Sequence, residues 1–260
     1  MGIKRRKSTV NPLLEWVGKQ PMKVKIAMAA TSMLCGLIAL NFLVKDHSLF
    51  YISSQAIHAA GILVLIYKLT TRRTCSGLSL KTQELTALFL VVRLGVRFLF
   101  EDGIHTILDA AILVSTLWVM YMIRVKLNST YNKELDSLSL SYVVLPTAIL
   151  AILIHPHSYF KQVDEVFWAF STYMEAVSVL PQLRLMQNAK MVEPFTGHYV
   201  FALGVARFLG CGHWLIKIYE TRGEFLLLDG TVTLWVPMFF LCEMVQTFIL
   251  ADFCYYYIKR

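Results

Sequence analysis

Charge is the scarcest ingredient of this 260-residue chain: Asp, Glu, Lys and Arg make up 16% of it, against 57% hydrophobic residues, and the mean hydropathy is +0.57. Soluble domains carry charge at about a quarter of their positions, so a water-facing globular surface is excluded and a polytopic membrane protein is implied. The sequence also lacks G-x-S-x-G, H-E-x-x-H, a P-loop and any suggestively spaced carboxylate pair, which removes the common signatures of hydrolytic, metal-dependent and nucleotide chemistry. A binder or carrier is expected, without enzymatic activity, cofactor or metal. The five cysteines (Cys35, Cys75, Cys211, Cys242, Cys254) have no C-x-x-C spacing and fall mostly in apolar segments, so they read as buried thiols, with no zinc site or disulfide framework.

What the chain has in abundance is apolar runs. Runs able to approach the roughly 30 Å of a bilayer core cover 26–44, 49–67, 83–100, 104–123, 140–154, 163–183, 198–218 and 232–258. The fold class is therefore an all-α membrane protein with eight predicted transmembrane helices, preceded by a basic segment over 1–25. The first run, "IAMAATSMLCGLIALNFLV", is too long for a signal-peptide core and lacks an A-x-A exit, so it is expected to remain as an extra helix over 26–44.

The net charge of +8 lies between these runs, which disfavours nucleic acid as a partner and favours a topological role. Eighteen Lys and Arg residues fall on the side of the N-terminal segment, Lys68, Arg72, Arg73 and Lys81 among them; four fall on the opposite side and three inside helices. Both termini are predicted cytosolic. The sequon Asn128-Ser129-Thr130 then faces the cytosol and stays unused.

The three intramembrane arginines are Arg93, Arg97 and Arg207. An arginine at a helix centre costs at least about 2.5–3.5 kcal/mol on insertion scales, so each needs a partner or a watery cavity. Arg207, Gly210, Trp214 and Lys217 share one helical stripe, and Glu175, Ser178 and Gln182 share another. Glu175 with Arg207 is the expected pair, while Arg97, near a helix end, is placed to snorkel. His58 adds a titratable group. Pro181-Gln182 should open the end of its helix, with Gln182 satisfying backbone groups that Pro181 frees. Two halves also look alike: Thr82 precedes Arg93 by eleven residues, as Thr196 precedes Arg207, and Ser54/His58 parallel Ser171/Glu175. One extra helix followed by a 3 + 1 + 3 arrangement would account for both halves.

The stretches "RRTCSGLSLKTQEL", "TYNKELDSLSLSYVVLPTAILA", "FWAFSTYMEAVSVLPQL", "GHYVFALGVAR" and "DFCYYYIK" resemble the KDEL receptors, the ER lumen protein-retaining receptor family, over residues 49–260. The resemblance implies a seven-helix domain of the SWEET and PQ-loop type. It implies residence in the ER and Golgi membrane, binding of lumenal proteins by their C-terminal K/H-D-E-L signal in acidic compartments, and return to the ER with vesicle coat machinery. By motif position it assigns signal binding to Arg93, Lys217, Trp168, Trp214 and Tyr51, and pH sensing and coupling to His58, Glu175 and Arg207. Charging an imidazole of ordinary pKa about 6.5 would add a positive group near an anionic tail.

The chain departs from the family pattern at several of these positions. Tyr51 and Lys217 stand where the family has arginines, Ala206 and Gly210 where it has tyrosines, and Val96 where it has an aspartate; the family's Lys-rich tail is replaced by an end at Lys259-Arg260. A SWEET-like carrier of small solutes or protons, or a non-binding trafficking partner of retrieval receptors, are the alternative functions.

Overall fold

The computed structural model describes residues 48–100, 104–156, 162–189, 193–220 and 234–259; the basic segment 1–25, the run 26–44 and Cys35 lie outside the described residues. Among the described residues all regular structure is helical: α1 (Ser48–Tyr67), α2 (Leu80–Phe100), α3 (Ile104–Tyr121), α4 (Ser141–Leu153), α5 (Gln162–Val177), α6 (Leu180–Asn188), α7 (Pro194–Glu220) and α8 (Trp235–Lys259). Widened π turns over Lys68–Arg72 and Met122–Lys126 extend α1 and α3. Each of the seven apolar runs within the described residues forms helix. Among the described residues three helices, Phe50–Arg72, Thr106–Lys126 and Pro194–Glu220, are long and apolar enough to cross a membrane. With 13 residues, α4 rises only about 20 Å.

The run 163–183 does not form one helix. Pro181 has no N–H to return to Val177, so the chain turns at Ser178–Val179 and restarts as α6. The N–H of Gln182 goes instead to Thr82 Oγ1 (2.8 Å), and regular bonding resumes from Leu183 to Val179. Gln182 therefore leaves the stripe of Glu175 and Ser178 on which continuous helical geometry placed it. Its role in meeting freed backbone groups holds: Oε1 accepts from Ser79 N–H (2.8 Å) and Nε2 donates to Gly77 C=O (2.9 Å).

The first helix of each apparent half packs on the second helix of the other, α1 on α7 and α5 on α2, while α8 lies against α7 and α5, α3 against α2 and α1, and α4 against α5. Two glycines permit the closest of these approaches. A Cβ on Gly61 of α1 would stand 3.0 Å from Ala202 Cβ of α7, and one on Gly204 of α7 would stand 2.5 Å from Cys254 Sγ of α8. Small residues at such crossings let helix backbones approach. Cys75 and Cys211 are buried free thiols and Cys242 and Cys254 are partly buried free thiols, as their apolar surroundings predicted.

At the end of the bundle where α2, α4 and α7 begin, two related latches tie the halves together. Ser79 Oγ accepts from Thr82 N–H and caps α2; Glu193 Oε2 accepts from Thr196 N–H and caps α7. The sequence offset relating Thr82 to Thr196 also relates Ser79 to Glu193 and Lys68 to Gln182. Gln182 reaches from α6 to the start of α2, and Lys68 reaches from α1 to the start of α7. There Lys68 Nζ meets Glu193 Oε2 at 2.8 Å, Thr196 Oγ1 at 2.9 Å and Ser76 C=O at 2.7 Å. Counted in sequence as a solvated topology charge, Lys68 is in fact fully buried, because these three acceptors take up all its protons. Burial works against the Glu193 carboxylate, but the hydrogen bonds from Lys68 and Thr196 outweigh it and hold the group below its ordinary range.

The loop after α3 completes this end. Asp136, buried, accepts from Ser79 Oγ (2.9 Å) and Tyr131 Oη (2.6 Å), and Thr130 Oγ1 accepts from Cys75 N–H (3.0 Å).

Candidate functional site

The charged residues singled out from sequence lie between the middle of the bundle and its opposite end, where α1, α3, α5 and α8 begin. On α2, Arg93 and Arg97 lie one turn apart; Glu175 sits on α5 and Arg207 in the middle of α7. Glu175 bridges two arginines, with Oε1 2.6 Å from Arg207 Nη1 and Oε2 2.7 Å from Arg93 Nη1. The expected Glu175–Arg207 pair is present, with Arg93 as an additional partner. This arrangement meets the cost of placing arginine in an apolar bundle, since each guanidinium faces a carboxylate in a low-dielectric setting.

The network continues through a residue that was not singled out. Asp109, the single acid on α3 and fully buried, stands 3.1 Å from Arg93 Nε and 3.2 Å from Arg97 Nη1. Arg97 then donates through Nη2 to the hydroxyl of Tyr51 on α1 (3.3 Å). Arg207, Glu175, Arg93, Asp109, Arg97 and Tyr51 thus form one line of alternating charge across α7, α5, α2, α3 and α1. Arg97 does not snorkel: it is only 8% exposed, because Asp109 draws it inward across the α2–α3 contact.

His58, buried on α1, lines a small cavity of about 20 Å³ together with Arg207, Thr86, Ser178, Tyr199 and Gln246. It lies within electrostatic range of Arg207, Glu175 and Arg93. Gln246 of α8 donates to the backbone carbonyl of Glu175 (3.2 Å), steadying α5 where its carboxylate projects. Glu243, also on α8, lies within electrostatic range of Arg207 and Glu175.

The aromatic candidates form a second group beside this line. Trp168 and Trp214 both pack against the cluster of Tyr173, Trp235 and Phe239. The Trp214 ring meets Phe239 edge-on at 4.9 Å, and Lys217 Nζ lies 5.1 Å from the Trp214 ring centre. Tyr51 meets His213, which in turn meets Trp214, so a run of rings connects the Arg97 end of the charge line to Lys217. Of the residues predicted from sequence, Arg93, Glu175, Arg207 and Tyr51 share the ionic line, His58 lies beside it, and Trp168, Trp214 and Lys217 belong to the aromatic side. At the departures from the family pattern, Ala206 is buried and its carbonyl accepts from Ser54 Oγ (2.7 Å), while Val96 is buried in the core.

Asp109 and Glu243 were missed although the signal was in view. Each is a carboxylate inside an apolar run, and an intramembrane acid is a site hypothesis on the same grounds as an intramembrane arginine.

The family model for the ER lumen protein retaining receptor matches residues 74–217. The chain is 35% identical over 214 residues to the ER lumen protein-retaining receptor erd-2.1 of Caenorhabditis elegans, covering 82% of this chain and 94% of that protein. It is 34% identical over 215 residues to the ER lumen protein-retaining receptor of Petunia hybrida, with the same coverage of both chains. Against the receptor of the same description from Entamoeba histolytica it is 32% identical over 213 residues, again 82% of this chain and 94% of the other. With a family match over more than half its length and such relatives over most of it, the chain belongs to the ER lumen protein-retaining receptor family.

Proposed function

We propose that the protein is a membrane receptor of the ER and Golgi that binds lumenal proteins by a C-terminal K/H-D-E-L-type signal and returns them to the ER. The observation that carries this reading is the convergence of Arg93, Arg97 and Arg207 inside an apolar bundle, beside an aromatic wall that ends in Lys217. A tail with acidic side chains and a free carboxylate needs buried cations in fork geometry, which guanidinium groups supply, and flat apolar surface for its leucine. Arg93, Lys217, Trp168, Trp214 and Tyr51 would form the grip, with His58, Glu175 and Arg207 coupling it to pH: protonation of His58 adds positive charge beside the pocket and tightens binding.

In this reading residues 49–260 form a seven-helix 3 + 1 + 3 core of the SWEET type, with the helix of 26–44 as an eighth span and both termini in the cytosol. The exchange of first and second helices between the two halves supports the repeat. An unglycosylated Asn128 in cells is the expected result for this orientation, and glycosylation there would reverse it.

The test is binding of a labelled peptide ending in H-D-E-L to the purified protein at mildly acidic and neutral pH, with an amidated C terminus as control. Tighter acidic binding that needs the free carboxylate is expected. A second reading, a small-solute or proton-coupled carrier, is favoured by the room left at Gly210, whose added Cβ would meet only Ser54 Oγ at 3.6 Å. Solute uptake into reconstituted vesicles, with no peptide binding at either pH, would select it.

A further inference from the structure

We infer that Asp109 is a built-in competitor for the retrieval signal: its carboxylate occupies the place on Arg93 and Arg97 that an acidic C-terminal tail must take, and so sets how acidic and how abundant a tail must be to bind. This rests on the receptor reading above and concerns the regulation of that same site.

A guanidinium offers a carboxylate one bidentate edge through Nε and one terminal nitrogen, and a second edge through its two terminal nitrogens. On Arg93 the first edge is filled by Asp109, with Oδ2 3.1 Å from Nε and Oδ1 3.3 Å from Nη2, and the remaining nitrogen is held by Glu175 Oε2 at 2.7 Å. Arg97 is spent on the same acid and on Tyr51. In this state neither edge of Arg93 is open to an incoming carboxylate, and Arg97 keeps only Nε without a hydrogen-bond partner. Asp109 thus makes the contact a ligand carboxylate would make.

The hold is imperfect. Asp109 Oδ2, Arg93 Nε and Arg97 Nη1 are buried and sit at ion-pair distance without completing a hydrogen bond, and Arg97 Nε is buried without a hydrogen-bond partner. Buried donors left in this condition cost free energy that a better-aligned acceptor recovers. Glu175, by contrast, makes a short, formed bond with Arg93. An arriving tail therefore has more to gain by displacing Asp109 than by displacing Glu175. The position of Asp109 fits the same reading, since it is the one acid on an otherwise apolar α3 and lies near the end of the bundle where that helix begins.

The experiment compares wild type with Asp109→Asn, and with the charge-balanced pair Arg97→Gln plus Asp109→Asn, which avoids leaving a surplus buried cation. Two readouts are taken on the full chain: affinity for the H-D-E-L peptide with its amidated control, and labelling of Arg93 by phenylglyoxal, followed by mass spectrometry. Asp109→Asn is expected to bind the peptide at least tenfold more tightly, and both variants are expected to expose Arg93 to the reagent. Unchanged or weaker binding by Asp109→Asn, or unchanged Arg93 labelling in both folded variants, with wild type binding, overturns the inference; weaker binding would make Asp109 a ligand contact instead. If no form binds the peptide but Arg93 labelling still rises, the retrieval reading fails while the masking of Arg93 by Asp109 stands. If no form binds the peptide and Arg93 labelling does not rise, both fail.

Discussion

Lys68 and Glu193 form an ion pair at the latch end whose two members differ sharply in exposure, and that difference predicts an asymmetry. The Lys68 side chain is 0% exposed, whereas that of Glu193 is 27% exposed. Replacing Lys68 by Met leaves a carboxylate that water can reach, so the loss is that of a partly exposed pair with its hydrogen bonds, about 1–2 kcal/mol. Replacing Glu193 by Ser leaves a buried ammonium with two neutral acceptors, Ser76 C=O and Thr196 Oγ1. Removing one partner so that a buried charge is stranded costs about 3–5 kcal/mol. Serine is chosen because Ser79 performs the corresponding cap on α2, so the helix cap is kept and the charge alone is tested. In detergent-solubilised protein followed by tryptophan fluorescence, Glu193→Ser should lower the melting temperature by on the order of 10 °C, and Lys68→Met by a few degrees. The double variant, with neither charge, should be more stable than Glu193→Ser alone. The reasoning is refuted if Lys68→Met proves as costly as Glu193→Ser, or if the double variant is the least stable of the three.

The same pair predicts a pH dependence. Because the Glu193 carboxyl is held below its ordinary value in the fold, its stabilisation is complete above the unfolded value of about 4.3 and is lost as pH falls through the lower folded one, so the gap in melting temperature between wild type and Glu193→Ser should narrow only below about pH 4. Thr82→Val removes the acceptor of the Gln182 N–H at the α5–α6 break and should cost about 1–3 kcal/mol by chemical denaturation; an unchanged midpoint would mean that another group takes over that N–H. Gly204→Ala forces a Cβ to 2.5 Å from Cys254 Sγ and should destabilise by about 1–3 kcal/mol. Gly95→Ala meets nothing within 4 Å and, by helix propensity, should stabilise by up to about 1 kcal/mol in the same assay.

Much of the bundle was legible in sequence because apolar runs and helical period are local properties. The pairing of Glu175 with Arg207 was legible as well, since a buried charge demands an opposite one and few were on offer. Three features were not. The break at Ser178–Val179 moved Gln182 off the stripe of Glu175, because a helical wheel assumes continuity across Pro181. Lys68 was read as a topological flank, although its ammonium is buried 128 residues away in sequence from its Thr196 partner. Arg97 looked free to snorkel because Asp109, on the next helix, was not considered as its partner. In each case the deciding contact is tertiary and leaves no periodic trace.

The placement of the family motifs explains why membership and ligand chemistry are separate questions here. The stretch "RRTCSGLSLKTQEL" supplies Cys75, Ser79 and Thr82; "TYNKELDSLSL" supplies Thr130, Tyr131 and Asp136; "LPQL" supplies Gln182. All of these side chains are engaged in the latch at the end remote from the ionic line, through the bonds of Asp136 to Ser79, Thr130 to Cys75 and Gln182 to Thr82. They secure helix starts and loop docking, tasks indifferent to what the other end holds. The positions read from sequence as departures fall elsewhere: Tyr51 accepts from Arg97, Val96 and Ala206 directly precede Arg97 and Arg207 in the chain, and Lys217 lies over Trp214. A bundle held shut at one end can therefore change the groups at the other without losing its fold. Arg93 and Arg207 are the arginines paired with Glu175, while the ion pairs to Asp109 involve Arg93 and Arg97. If Asp109 masks Arg93 as proposed, a tail must win Arg93 from it, and the Asp109→Asn comparison measures that contest directly.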